Sequence, residues 1–182
     1  MLVSSIFSFC IGVAVAAPAK SLVQRDLAAF RSAFGAISSA TTTFDTAVKG
    51  IASPADVNAN LPDLTTKAGA IVTAIQNGIT TVNAQPPLSL TDSLSLLTLS
   101  NTLVSSVEAT VSDLTDKKPF VDAATPPQTT FVRTQLQDVR SNAQTYIAAV
   151  VAKVPDAVKS VANTQASRVI TVLDNGIATY SG

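Results

Sequence analysis

The sequence predicts an all-α fold, a five-helix bundle of long amphipathic helices. Three observations carry this. Apolar residues recur in steps of three and four over five separate segments. Four of those segments run roughly 20 to 27 residues, long for ordinary globular helices. No segment alternates with the period of two that a half-buried strand requires. Thr41-Thr42-Thr43 and the run Val169, Ile170, Thr171, Val172 favour strand locally, but the surrounding helical period outweighs that propensity.

The first segment shows the pattern most clearly. Leu27, Phe30, Phe34, Ile37, Phe44, Val48 and Ile51 fall on one stripe about 36 Å long, interrupted only by Thr41. Asp26, Arg31, Asp45 and Lys49 occupy other faces. Asp26 favours the helix start, and Gly50 with Ser53-Pro54 marks its end. The second segment, about Leu61 to Val82, carries Leu64, Ala68, Ile71, Ile75 and Ile79, with Ala70, Ala74 and Gly78 leaving room beside them. Asn83 to Pro87 stops it, because consecutive prolines cannot continue an α-helix.

The third helix is expected from Thr91-Asp92 to about Leu114, apolar over more than half its circumference at the start. A long connection, Thr115 to Gln128, follows, with Phe120 and Val121 placed to fold back onto the bundle. The fourth helix then runs from Pro126 or Pro127 to about Lys153, with the stripe Phe131, Val132, Leu136, Val139, Ala143, Tyr146, Ile147, Val150 and Val154. Pro155 forces a break and a sharp change of direction. The fifth carries Val158, Val161, Ala162, Gln165, Val169, Val172, Leu173, Ile177 and Tyr180.

Ahead of these helices, Leu2 to Val15 is an apolar run that ends in small residues, Ala14, Val15, Ala16, Ala17, Pro18 and Ala19, the pattern of a cleaved secretory signal peptide. The expected division is residues 1–19 as signal peptide and processing region and residues 20–182 as a single helical domain. The apolar run is too short to span a membrane. Cleavage removes Cys10, the only cysteine, so the mature chain must be held by burial rather than by disulfides. No hydrophobic tail follows Tyr180 to suggest a GPI anchor, and there is no Asn-x-Ser/Thr sequon, although O-linked sugars on the many Ser and Thr residues stay open.

Composition narrows the function. Charged residues are 13% and hydrophobic residues 47%, against about 25% charged in an average globular chain. With zero net charge and no basic cluster beyond Lys117-Lys118, electrostatic binding of nucleic acid has no support. There is no histidine, so a Ser-His-Asp triad and a His-ligated metal site are excluded, and no catalytic residue, metal or cofactor is expected. Asp113 with Asp116 or Asp122 comes nearest to a carboxylate cluster, and helix-end charge and solvation account for it. What remains is apolar surface, readable as a packed core or as the wall of an internal tunnel. Periodicity does not separate the two. Thr41 and Gln165 interrupt the stripes, and each needs a polar partner, either neighbouring backbone or a ligand head group.

The opening helix VQRDLAAFRSAFGAISSATTTFDTAV, the break before LTTKAGAIVTAIQNGITTV, the Leu-rich LTDSLSLLTLSNTLV and the later TYIAAVVAKV resemble the fungal hydrophobic surface binding protein A family, which includes the antigenic cell wall galactomannoproteins. The resemblance covers nearly all of the chain after the leader. It implies a secreted or cell wall associated, non-enzymatic helical domain that adsorbs to hydrophobic surfaces, encloses fatty acids, and recruits a secreted esterase such as a cutinase. The Ser/Thr-rich stalk of some mannoproteins is missing, which favours a freely secreted form.

On this basis the expected ligand is a long-chain fatty acid or other lipid. Its expected lining is Phe30, Phe34, Ile37 and Phe44, faced by Ile71, Ile75, Leu103, Val107, Leu136, Val139, Tyr146, Val169 and Leu173. Thr41, Gln165 or Tyr146 would bond the head group. Burying each methylene contributes about 0.8 kcal/mol, so a sixteen-carbon tail supplies roughly 10 kcal/mol before ordering costs. A surface-adsorbing adaptor and a structural wall mannoprotein are the alternatives.

Overall fold

The computed structural model describes residues 20–181, with side-chain placements from Leu27 onward. The signal peptide, its cleavage site, Cys10 and the Asp26 side chain fall outside them. The described residues form five helices: α1 Lys20–Lys49, α2 Pro54–Asn83, α3 Leu90–Ala123, α4 Thr129–Val151 and α5 Asp156–Thr179.

Three boundaries differ from expectation. The second helix begins at Pro54, a full two turns before Leu61. Ser53 caps it: its Oγ accepts from the Asp56 N–H at 3.3 Å, and the Asp56 carboxylate accepts from the Ala52 N–H at 3.0 Å. This reciprocal cap satisfies backbone donors that a helix start leaves unpaired, and Pro54 lacks one of them in any case. The Ala52 N–H, followed by the Ser53 hydroxyl, holds the Asp56 carboxyl below the usual carboxylate range.

The long connection expected over Thr115 to Gln128 is the second correction, because α3 continues to Ala123 with Pro119 inside it. Both internal prolines, Pro62 and Pro119, lie on exposed faces. There the carbonyl four residues back can turn to water, which lowers the penalty that ends most helices at proline. Burial rewards the extra turns: Val121 is 2% exposed in the upper core and Phe120 packs against that cluster. The shortened connection places the start of α4 at Thr129 rather than at Pro126 or Pro127.

The helices run alternately up and down. At the lower end the α2–α3 and α4–α5 connections meet, where the Leu88 N–H donates to the Lys153 carbonyl at 2.7 Å. At the upper end the Asn58 amide donates to the Thr125 carbonyl at 2.9 Å. Around the bundle each helix packs mainly on two others, in the cyclic order α1, α2, α4, α5, α3 and back to α1. Polar ties across these seams include the Arg140 fork on Asp174, which holds the Asp174 carboxyl below its ordinary range, and Arg168 on Glu108 at 2.8 Å. The Arg140–Asp174 tie is present at neutral pH and is lost as pH falls through that lowered carboxyl pKa.

Two clusters form the core. The lower one is floored by Phe30, Val82, Leu88, Val154 and Val158. The upper one is closed by Val48, Ile51, Val57, Leu114, Val121 and Tyr180. Tyr180 is 1% exposed, and its hydroxyl donates to the Leu114 carbonyl at 2.5 Å, tying the end of α5 to α3.

Candidate functional site

A ring of five helices cannot close its own centre. With axes about 10 Å apart, the axes lie about 8.5 Å from the middle, and subtracting a helix half-width of about 5 Å leaves a channel of about 3.5 Å radius. Side chains fill part of it. The remainder is a cavity of about 160 Å³ whose walls come from all five helices. Along α3 its lining extends from Ser93 to Leu114, about 32 Å at 1.5 Å per residue.

Of the residues expected to line a cavity, Phe34, Ile37, Thr41, Phe44, Ile71, Ile75, Leu103, Val107, Leu136, Val139, Tyr146, Gln165, Val169 and Leu173 stand on this wall. Phe30 does not. It is fully buried in the floor below, against which the ends of α2 and α5's beginning close the ring. Other wall residues were not singled out by sequence, among them Ser93, Leu96, Leu97, Ser100, Val104 and Ala166. The signal for Leu96, Leu97 and Val104 was the wide apolar arc at the start of α3. The serines gave none, being small polar residues that read equally well as surface.

The small residues on α2 divide on inspection. Gly78 is buried, and a Cβ there would stand 2.9 Å from Cε2 of Tyr146. A glycine is therefore what lets the Tyr146 ring lie against α2, where it also meets Phe34 edge-on with centroids 5.7 Å apart. Ala70 is exposed and takes no part.

Polar chemistry inside the cavity is unevenly distributed. The hydroxyls of Thr41, Ser93, Ser100 and Thr110 donate to carbonyls of their own helices at 2.8–2.9 Å. Their protons are committed, so they offer lone pairs only. Thr41 thus finds its partner in the Ile37 carbonyl. Gln165 accepts at Oε1 from Arg168 at 3.3 Å, which leaves its amide N–H₂ as a donor. The Tyr146 hydroxyl is different again: it is buried and without a hydrogen-bond partner. Burial raises its pKa well above the ordinary phenol value, so it stays a neutral O–H donor. A buried unpaired hydroxyl costs on the order of 1–3 kcal/mol, which an acceptor brought by a ligand would restore.

Along the lower halves of α3 and α5 several wall residues are only half-buried. Gly176 lies against Val111 and Arg168 reaches Glu108, which sets Val161 level with Leu96 and Leu97. The Arg168–Glu108 pair bridges this seam. Below it Leu90, Leu94 and Val161 are about half exposed, at 48%, 50% and 44%, and the wall residues Leu97, Ser100, Ala162, Gln165 and Ala166 are only half-buried.

Asp113 pairs with Lys49 and Asp122 with Lys118, so neither joins a carboxylate cluster. Among the described residues no group of three or more metal-ligating side chains converges, and no helix is long and apolar enough to cross a membrane.

A ring of helices around an apolar, donor-poor cavity defines an all-α bundle with a hydrophobic site between its helices. The chain belongs to the hydrophobic surface binding protein A family, whose model matches residues 27–152. It is 28% identical over 174 residues to cell wall mannoprotein 1 of Aspergillus flavus, covering 94% of this chain but 60% of that protein's length. Its fold is similar to ligand-binding domain 1 of the Penicillium marneffei MP1 protein complexed with arachidonic acids. The TM-score is 0.80 at 27% identity, over 87% of this chain and 100% of that domain. AFMP4P in complex with palmitic acid shares the fold at TM-score 0.69 and 17% identity, over 87% of this chain and 99% of that one.

Proposed function

We propose that this protein binds long-chain fatty acids in the cavity between its helices and acts by binding rather than by catalysis. The observation that carries the reading is the apolar lumen with an unpartnered Tyr146 hydroxyl in its wall. Sixteen carbons joined by tetrahedral bonds of about 1.5 Å extend roughly 19 Å, less than the length of the lining on α3. Tyr146 and the Gln165 amide donate to the carboxylate, and the other wall residues exclude water from the tail. The arachidonic acids held by the MP1 domain support the ligand class. The apolar leader and the mannoprotein relative support a single helical domain from residue 20 that works outside the cell or in its wall.

Native mass spectrometry after incubation of the delipidated protein with palmitate tests this directly. A mass increase of whole palmitate units is expected, and none at any ratio would remove the proposal. Tyr146→Phe should weaken palmitate binding about fivefold to tenfold while leaving Tm unchanged or slightly higher, because the variant no longer buries an unpaired hydroxyl. Titration of bound [1-13C]palmitate and a melting curve check both.

The cluster of Leu90, Leu94 and Val161 favours a second reading, attachment to hydrophobic surfaces through the lower α3–α5 seam. Recruitment of a secreted esterase belongs with it, since only a surface-bound form brings an enzyme to an insoluble substrate. The double variant Leu90→Ser, Leu94→Ser is expected to lose most adsorption to octyl-coated beads and to keep palmitate uptake. Undiminished adsorption would exclude this face.

A further inference from the structure

A second, smaller cavity of about 50 Å³ lies above the first, between the end of α1, the start of α2, the end of α3 and the start of α4. It shares Phe44, Ile71, Leu114, Leu136 and Val139 with the main cavity. The two spaces are therefore neighbours across one partition of side chains. Their linings on α3 extend from Ser93 to Val121, about 42 Å at the helical rise, roughly twice the length of one extended sixteen-carbon chain.

The upper cavity has a different lining. Its interior is apolar, with Val57, Leu64 and Ala68 on α2, Phe44 on α1 and Phe131 on α4, and Lys117, Gln128 and Gln135 line it through their carbon stems. The other lysines with described side chains are engaged. Lys49, Lys67, Lys118 and Lys159 pair with carboxylates, and Lys153 donates to the Asn83 and Gln85 carbonyls. Lys117 has no carboxylate within 4 Å among the described residues, and its ammonium lies 5.9 Å from the centroid of the Phe120 ring. An ammonium over an aromatic face, on a side chain whose stem lines an oily pocket, matches an amphiphile with one negative charge at its end.

We propose that Lys117 holds the carboxylate of a long-chain fatty acid whose tail enters the upper cavity and points through the Phe44–Leu136 partition toward the main one. This is a head-group site separate from Tyr146, which lies about 24 Å lower along the bundle. The assignment rests on the fatty-acid reading above. Gln135 lines the same compartment, while the Gln128 amide is already spent on Asn58 Oδ1 and the Pro126 carbonyl. Ala68 fixes the pocket's width, because it is 3% exposed and lines only this compartment.

NMR of the full chain saturated with [1-13C]palmitate tests it. The unmodified protein should show a bound carboxyl resonance that Lys117→Gln shifts and weakens about tenfold in titration, that Lys117→Arg keeps, and that Tyr146→Phe leaves in place. Ala68→Leu, which fills the compartment, should suppress the same resonance. Palmityl alcohol binding should be unchanged by Lys117→Gln, since the alcohol carries no charge. If every bound carboxyl signal keeps its position and affinity in Lys117→Gln, the Lys117 site is overturned while the cavity reading stands. If the unmodified protein takes up no palmitate, both are overturned.

Discussion

Val107→Trp is expected to reduce palmitate binding by at least a hundredfold while Tm stays within about 5 °C of the unmodified protein. Val107 is half-buried on α3, lines the main cavity, and packs against both the lower and the upper core clusters. It stands at mid-height in the lumen. An indole there occupies the space through which an acyl chain must pass, and loss of even half the buried methylenes removes several kcal/mol of transfer free energy. In a filled core the same insertion would cost about 1–3 kcal/mol of stability through strain. Here the ring moves into empty volume and gains contacts that the valine lacks, which offsets that cost. Isothermal titration with palmitate, paired with thermal unfolding followed by circular dichroism, measures both quantities. A large fall in Tm with binding intact would mean that this part of the bundle is packed rather than hollow.

Phe30→Ala should do the opposite. Phe30 is fully buried in the floor and stands outside the cavity wall. Truncating a phenylalanine in such a place removes its transfer free energy and leaves a hole, together roughly 3–5 kcal/mol. For a chain of this size that is on the order of 10 °C in Tm. At temperatures where the variant remains folded, palmitate affinity should change by less than about threefold, because the residue touches no part of the lumen. Urea unfolding gives the stability and titration gives the affinity. The pair of variants separates wall from floor along a single helical stripe, since Phe30 and Phe34 are one turn apart on α1 and differ only in what the ring of helices places opposite them.

That contrast shows where sequence reading stops. The helical period of α1 was visible in Phe30, Phe34, Ile37 and Phe44, and the break at Pro155 was visible as a break. The early start of α2 was also written in the chain, as Ser53, Pro54 and Asp56 in capping order, but the turn-rich residues that follow outweighed it. Pro119 misled for a physical reason. Its cost depends on whether the carbonyl four residues back faces solvent, and that is settled by which side of α3 the other helices cover. The same holds for Ser93 and Ser100, whose hydroxyls are spent on their own helix and whose presence in the wall leaves no mark in the pattern.

By itself the sequence determined that five segments would be helical, which face of each would turn inward, and that no histidine or cysteine chemistry would operate in the helical domain. Each of these follows from local spacing or from composition. Only the tertiary structure decided that the inward faces surround a space rather than fill one. Hollowness is a property of the cyclic order α1, α2, α4, α5, α3 and of the distance between helices across the ring. Those quantities depend on all five segments at once, so no stripe read alone contains them.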